Sequence, residues 1–305
     1  MSLLNSIVVG KKKKPIAVLL SGVHGIGKST FGAGAPNPIF IGSEENDELD
    51  AARFPKVVTW KDLKDQLNTL LNDNHNYESV ILDTIDTLEQ VAQKEILAGS
   101  DKTMATAMGG YGKAYEKMKD MFLDIRDQYL IPLRDNKGMN IVLLCHSDKV
   151  KHEDPITNTS YDHYQTAIHK KVKTVFEDWV SAILFANFEL FKGEDTNGKQ
   201  FLVGEGERRI FTEERPSHTA KNRFNLPYQM ALNFTDLKKH IDNYYGKAEA
   251  AGINPEVDQL VKEINVYLEN SDIETQKVVK LSIKRAGNDT VELKRILTKI
   301  IKLVA

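Results

Sequence analysis

The sequence predicts an α/β protein with a mainly parallel central sheet, followed by a small helical module. Three observations carry this. Short apolar, β-branched runs at 15–20, 39–41, 77–84 and 141–145 alternate with longer segments of helical spacing, the pattern of strands buried on both faces of a parallel sheet. The first run leads directly into a glycine-rich loop, as a strand–loop–helix unit does. Residues 252–305 change character and read as three helices, near 255–269, 272–286 and 289–303. The predicted division is an N-terminal arm at 1–14, an α/β core at 15–245 and a helical module at 252–305.

The loop reads G-x-x-x-x-G-K-S from Gly22 to Ser29. Gly22, Gly25 and Gly27 let the backbone turn tightly and aim successive N–H groups inward, with Val23, His24 and Ile26 between them. The helix that begins here adds its positive N-terminus, so Gly22–Thr30 forms a nest for phosphate. Lys28 is placed to reach the β- and γ-phosphates, and the Ser29 hydroxyl to hold Mg²⁺, with Thr30 completing the motif. Gly32, Gly34, Pro36 and Pro38 end the helix early.

The strand 39–41 leads to Gly42-Ser43-Glu44-Glu45. A carboxylate at that tip can orient and deprotonate the water attacking a γ-phosphate; Glu44 is the first candidate and Glu45 the second. Both could also belong to an acidic solvated loop through Asp47, Glu48 and Asp50. Val57–Trp60 reads as a short strand and 61–72 as a helix presenting Leu63, Leu67, Leu70 and Leu71. The run 77–84 ends in Asp83, about fifty residues past the loop, where an aspartate holds Mg²⁺ through water.

Residues 98–112 read as a glycine-rich loop and 113–130 as a helix with the core stripe Tyr115, Met118, Phe122, Ile125 and Tyr129. The strand 141–145 contains Cys145, the single cysteine, read as packing. It ends in His146, either a γ-phosphate sensor or a histidine satisfied by its neighbours. Residues 148–173 read as polar and irregular, then helical. Their Lys149, Lys151, Lys170 and Lys171, interleaved with tyrosines and histidines, suit single-stranded nucleic acid; a solvated loop would look similar. Lys102 and Lys113, around the earlier loop, join them as candidate DNA contacts. A strand within 179–191, a hairpin turn at 195–199, strands at 201–203 and 209–212, and a polar triplet Lys221-Asn222-Arg223 complete the core.

Composition bounds the function. The net charge is -2, so any nucleic-acid contact must come from a local patch. One cysteine excludes an intrachain disulfide. No apolar stretch is long enough to span a membrane, and the charge at Lys11–Lys14 follows the apolar part of the N-terminus, the reverse of a secretory signal. A cytoplasmic protein is expected. The first fourteen residues read as a solvated leader or as an arm that docks on a neighbouring subunit.

The motifs GVHGIGKST, PNPIFIGSEEN, YESVILDTID, GGYGKAYEKM, IVLLCHSDK and AKNRF, in that order over about 15–235, resemble those of phage-encoded AAA/RecA-type ATPases. Within these, the sequence is most similar to RecA-like core proteins linked to single-strand annealing and recombination. The resemblance implies a RecA-like P-loop NTPase core that uses ATP and Mg²⁺, in the cytoplasm of a bacterial host. It implies that Glu44 activates the water and that His146 is the polar sensor. Lys221 and Arg223 resemble the KNR element of RadA-like ATPases, whose cations reach the nucleotide of an adjacent subunit in a ring or filament. Loops 98–112 and 148–168 would be the DNA loops. The implied function is a Mg²⁺-dependent, DNA-stimulated ATPase that binds single-stranded DNA and supports phage recombination, annealing or replication, with a single-strand-binding or other replication protein as a possible partner. The alternative is an ATP-driven loader or assembly factor acting on a replication protein through helices 252–305, which lie outside the resemblance. A metabolite kinase would need an arginine-rich lid, and a GTPase an Asn-Lys-x-Asp element where Cys145-His146-Ser147-Asp148-Lys149 stands.

Overall fold

The computed structural model describes residues 12–44, 48–154, 156–189, 191–194, 200–204, 206–251, 255–268, 271, 273–286 and 290–304. In chain order the elements are β1 (Ala17–Gly22), α1 (Lys28–Ala33), β2 (Pro38–Ile41), β3 (Ala52–Arg53), α2 (Trp60–Asn72), β4 (Ser79–Leu82), α3 (Ile85–Leu97), α4 (Lys113–Asp124), α5 (Ile131–Asp135), β5 (Asn140–Asp154) and β6 (Thr159–Thr166). There follow α6 (Lys170–Glu177), β7 (Ala182–Phe188), β8 (Phe191–Glu194), β9 (Gln200–Val203), β10 (Arg208–Phe211), β11 (Lys221–Asn222), β12 (Gln229–Ala231), α7 (Phe234–Ala251), α8 (Pro255–Leu268), α9 (Ile273–Ala286) and α10 (Thr290–Val304). The chain divides into two units, Lys13–Ile241 and a second that contains the helices after Asp242.

In the first unit the sheet order is β12-β10-β7-β1-β5-β4-β2-β3. The pairings from β3 to β7 are parallel; β10 and β12 are antiparallel additions. The inner strands are buried on both faces, which is why they read as continuous apolar runs. One face carries Ala17, Leu19, Ile141, Leu143 and Cys145 against Leu63, Leu67, Met118, Phe122 and Phe176. On the other face α1 packs so closely that a Cβ on Gly32 would lie 2.9 Å from Ile81 and 3.3 Å from Phe40. β5 lies between β1 and β4, so the loop after β1 and the aspartate after β4 flank the end of a third strand.

Several local expectations are corrected. Val57–Trp60 is not a strand. Thr59 caps α2 in a capping box: its Oγ1 accepts from Asp62 N, and Asp62 Oδ2 accepts from Thr59 N at 2.8 Å. A cap of this kind stabilises by about 1 kcal/mol and outweighs the β-branched run. The helix expected at 113–130 passes from α4 through a π-helical turn, Ile125–Leu130, into α5. Pro132, which has no N–H to donate, is the second residue past that turn. Residues 148–166 are a β-hairpin rather than an irregular loop, because β5 runs on to Asp154 and pairs with β6. Lys221–Asn222 is itself a strand, antiparallel to β7. The turn expected at 195–199, most of the arm and Glu45 lie outside the described residues.

The second unit packs α8 and α10 through Leu260, Ile264, Leu268, Leu293, Ile296 and Ile300. The helical spacing of the sequence marks Val278 and Leu281 as apolar anchors beside Leu260, Ile264, Leu268, Leu293, Ile296 and Ile300, but both are exposed, and Val279 and Ile283 supply the contacts from α9. α7 continues to Ala251, through most of the stretch expected to join the two parts.

Candidate active site

The carboxyl ends of β1, β5, β4 and β2 converge on the phosphate loop. Gly27 has φ +103° and opens α1. Only glycine adopts that angle without strain. Lys28 is buried, and its ammonium donates to the carbonyls of Gly22 at 3.2 Å and Val23 at 3.1 Å. Burial pushes the Lys28 ammonium below its usual pKa, although Asp86, Asp83 and Glu44 pull the other way. Ser29 Oγ donates to Asp83 Oδ2 at 2.7 Å. His24, exposed on the loop, stacks on His146 with ring centroids 3.9 Å apart.

Glu44 reaches the site because β2 turns off at Gly42. A Cβ there would sit 1.8 Å from the Asp83 carbonyl oxygen, so only glycine lets the two strand ends approach. Thr84 Oγ1 donates to Glu44 Oε1 at 3.2 Å and ties the carboxylate to the end of β4. His146, ending the buried part of β5, gives its backbone N–H to Asp86 Oδ1 at 3.0 Å, and its Nδ1 lies 2.8 Å from Asp86 Oδ2. Burial raises the Asp86 carboxyl, but these contacts outweigh it and hold the group below its usual pKa. The next residue, Ser147, has a buried Oγ with no hydrogen-bond partner among the described residues.

The family model of the AAA domain matches residues 14–224, more than half of the chain. The chain belongs to the AAA domain family. No curated protein matches the sequence. The AAA domain supports an ATP-hydrolysing P-loop enzyme that binds its nucleotide, typically with Mg²⁺.

The residues present fit both groups. The αL glycine at the start of α1 and the buried lysine make an anion cradle, and the paired hydroxyl and carboxylate of Ser29 and Asp83 form a hard oxygen donor set. Bound Mg²⁺ supplies charge neutralisation on the phosphate oxygens. With nucleotide and metal bound, Lys28 would meet the phosphate tail, Ser29 and Asp83 would hold the metal, and Glu44 would be the carboxylate at hand to accept a proton from water. Asp86 fixes the His146 ring from behind.

Other expected residues fall elsewhere. Lys221 and Arg223 lie outside this site: Lys221 pairs opposite Ile183, and Arg223 N donates to the Ser181 carbonyl. The loop end of β1, Gly22, pairs with Ala186. Four residues of strand, roughly 13 Å, separate Ala182 from Ala186. Lys221 Nζ is occupied by the carbonyls of Glu177 and Asp178. Of the candidate DNA lysines, Lys149 pairs with Asp162 at 2.9 Å and Lys171 pairs with Glu116. Lys102, Lys113, Lys151 and Lys170 are exposed, with no ion pair among the described residues. The start of α4 meets the start of α6 where Tyr115 stacks on His169 at 4.1 Å.

Three residues escaped the sequence reading. Asp86 had a signal, an acidic residue in the first turn of the helix after Asp83. Thr84 caps that same helix. Arg208 had none. It sits on β10, yet its Nη1 lies 2.9 Å from where a Cβ on Gly27 would be.

Proposed function

We propose that this AAA domain is a Mg²⁺-dependent ATPase that binds single-stranded DNA and supports phage DNA recombination, annealing or replication. The observation that carries the reading is the continuity of β5. The strand that brings His146 to the phosphate loop runs on into a hairpin that bears Lys149, Lys151, His152 and Tyr161. His152 stacks on Tyr161 across the hairpin at 5.4 Å, and His152 and Lys151 are exposed. Cations for phosphates and rings for bases on one projection suit a single strand. A rigid ladder from the γ-phosphate sensor to that projection gives nucleotide state a physical route to the DNA.

In this reading, copies of the chain assemble, and Lys221 and Arg223 act on the nucleotide of a neighbouring copy. Their distance from their own phosphate loop supports action in trans. The test is ATP hydrolysis with and without single-stranded DNA at low and physiological salt. Stimulation that weakens with salt is expected.

A second reading, a loader or assembly factor, draws support from the helical module. Val266, Val278 and Leu281 are 61%, 59% and 56% exposed, an apolar set that suits a protein partner. Hydrolysis indifferent to DNA would favour it.

A further inference from the structure

Arg208 stands beside the phosphate loop without an assigned task. β10, which carries it, pairs with β7 on the side of β1 away from β5. Its guanidinium lies against Gly27, Nη1 being 2.9 Å from the position a Cβ on that glycine would take. Leu232, whose N–H donates to the Arg208 carbonyl, lines the same spot with its Cδ2 at 3.6 Å. The side chain is exposed and has no acidic partner among the described residues. An unpaired guanidinium against a loop built to bind anions is a fixed positive charge one step from the ligand.

The topology says which part of the ligand it meets. Glu44, Asp83, Asp86 and His146, the groups around the attacked phosphoryl in this reading, lie on β5 or just past the ends of β2 and β4, all on the β5 side of β1. Arg208 approaches from the β7 side. Gly27, which it touches, is the left-handed residue of the phosphate loop directly before Lys28.

We propose that Arg208 is a nucleotide-binding residue acting within its own chain, which grips the diphosphate portion common to ATP and ADP and takes no part in attack on the γ-phosphate. It rests on the phosphate loop holding a nucleotide, and not on the DNA reading. Arg is suited to the task because its planar fork can take two phosphate oxygens together.

The test measures equilibrium binding of ADP and of inorganic pyrophosphate, and steady-state ATP hydrolysis, for wild type, Arg208→Ala, Arg208→Gln and Arg208→Lys. Ligand-free melting curves check that each variant is folded; the exposed position makes this the expected result. Both affinities should fall on the order of tenfold in Arg208→Ala and Arg208→Gln, with partial recovery in Arg208→Lys. KM for ATP should rise by the same factor while kcat stays within about twofold. A loss for ADP with none for pyrophosphate would overturn the proposal and place the contact on the base or ribose. Unchanged affinities, or a fall in kcat alone, would also overturn it. Wild-type protein that binds neither ligand would overturn the nucleotide site itself, whatever DNA does.

Discussion

Ser29 Oγ and Asp83 Oδ2 are 2.7 Å apart, although the residues are 54 positions apart in the chain. The hydrogen bond joins the start of α1 to the end of β4 across the end of β5, which separates β1 from β4 in the sheet. Both oxygens suit a hard cation, and each is worth little to Mg²⁺ without the other.

Ser29→Ala and Asp83→Asn should each lower Mg²⁺-supported turnover by about a hundredfold or more. Nucleotide binding measured in chelator should change little. Phosphate release followed across a Mg²⁺ titration checks this; a variant restored by excess Mg²⁺ has lost affinity alone.

Lys28→Ala should abolish measurable nucleotide binding, because the ammonium is the buried cation of the loop. Glu44→Gln should keep binding and lose about a hundred- to ten-thousandfold in turnover, the range for a general base. Full activity in Glu44→Gln would move the proton-accepting role off this residue.

Asp86 is a positioning residue for His146. Asp86→Asn keeps an acceptor for the backbone N–H but removes the charge behind the ring, so kcat should fall roughly tenfold with KM little changed. Its pH signature follows from linkage. The folded carboxyl lies below its ordinary value of 3.8, so the stability it contributes is present above that value and is lost as pH falls through the folded one. Urea unfolding of wild type and Asp86→Asn should therefore differ most near neutrality and converge in acid below about pH 4.

Arg223→Ala should lower hydrolysis only in the assembled protein. Mixed with Lys28→Ala, it should regain part of that activity, because an intact loop on one copy then meets an intact arginine on another. Mixing assays at several ratios read this directly. No rescue at any ratio would count against action in trans.

Much of the site was legible because its signals are local. The loop needs glycines, lysine and serine at fixed spacing, and Asp83 ends an apolar run. Trp60 was misread because Thr59 and Asp62 form a cap three residues apart, and that pattern outranks the β-branched run before it. The 148–166 hairpin was misread because its strands are polar on both faces: Lys149 and Asp162 pair across it, so no hydrophobic alternation marks it.

By itself the sequence determined the glycine-rich loop, most of the alternating strands and helices of the core, the aspartate that ends the β4 run and the three terminal helices. Each follows from spacing within a few residues, where sterics, hydrogen bonding and hydrophobic period act directly. The tertiary structure alone decided the neighbours. Inserting β5 between β1 and β4 puts His146 between His24 and Asp86. Adding β10 beyond β7 brings Arg208 to Gly27, and pairing β11 with the start of β7 carries Lys221 and Arg223 away from that loop. These placements depend on which strand edge each segment joins, a choice set by the packing of the whole sheet and not by the residues beside it.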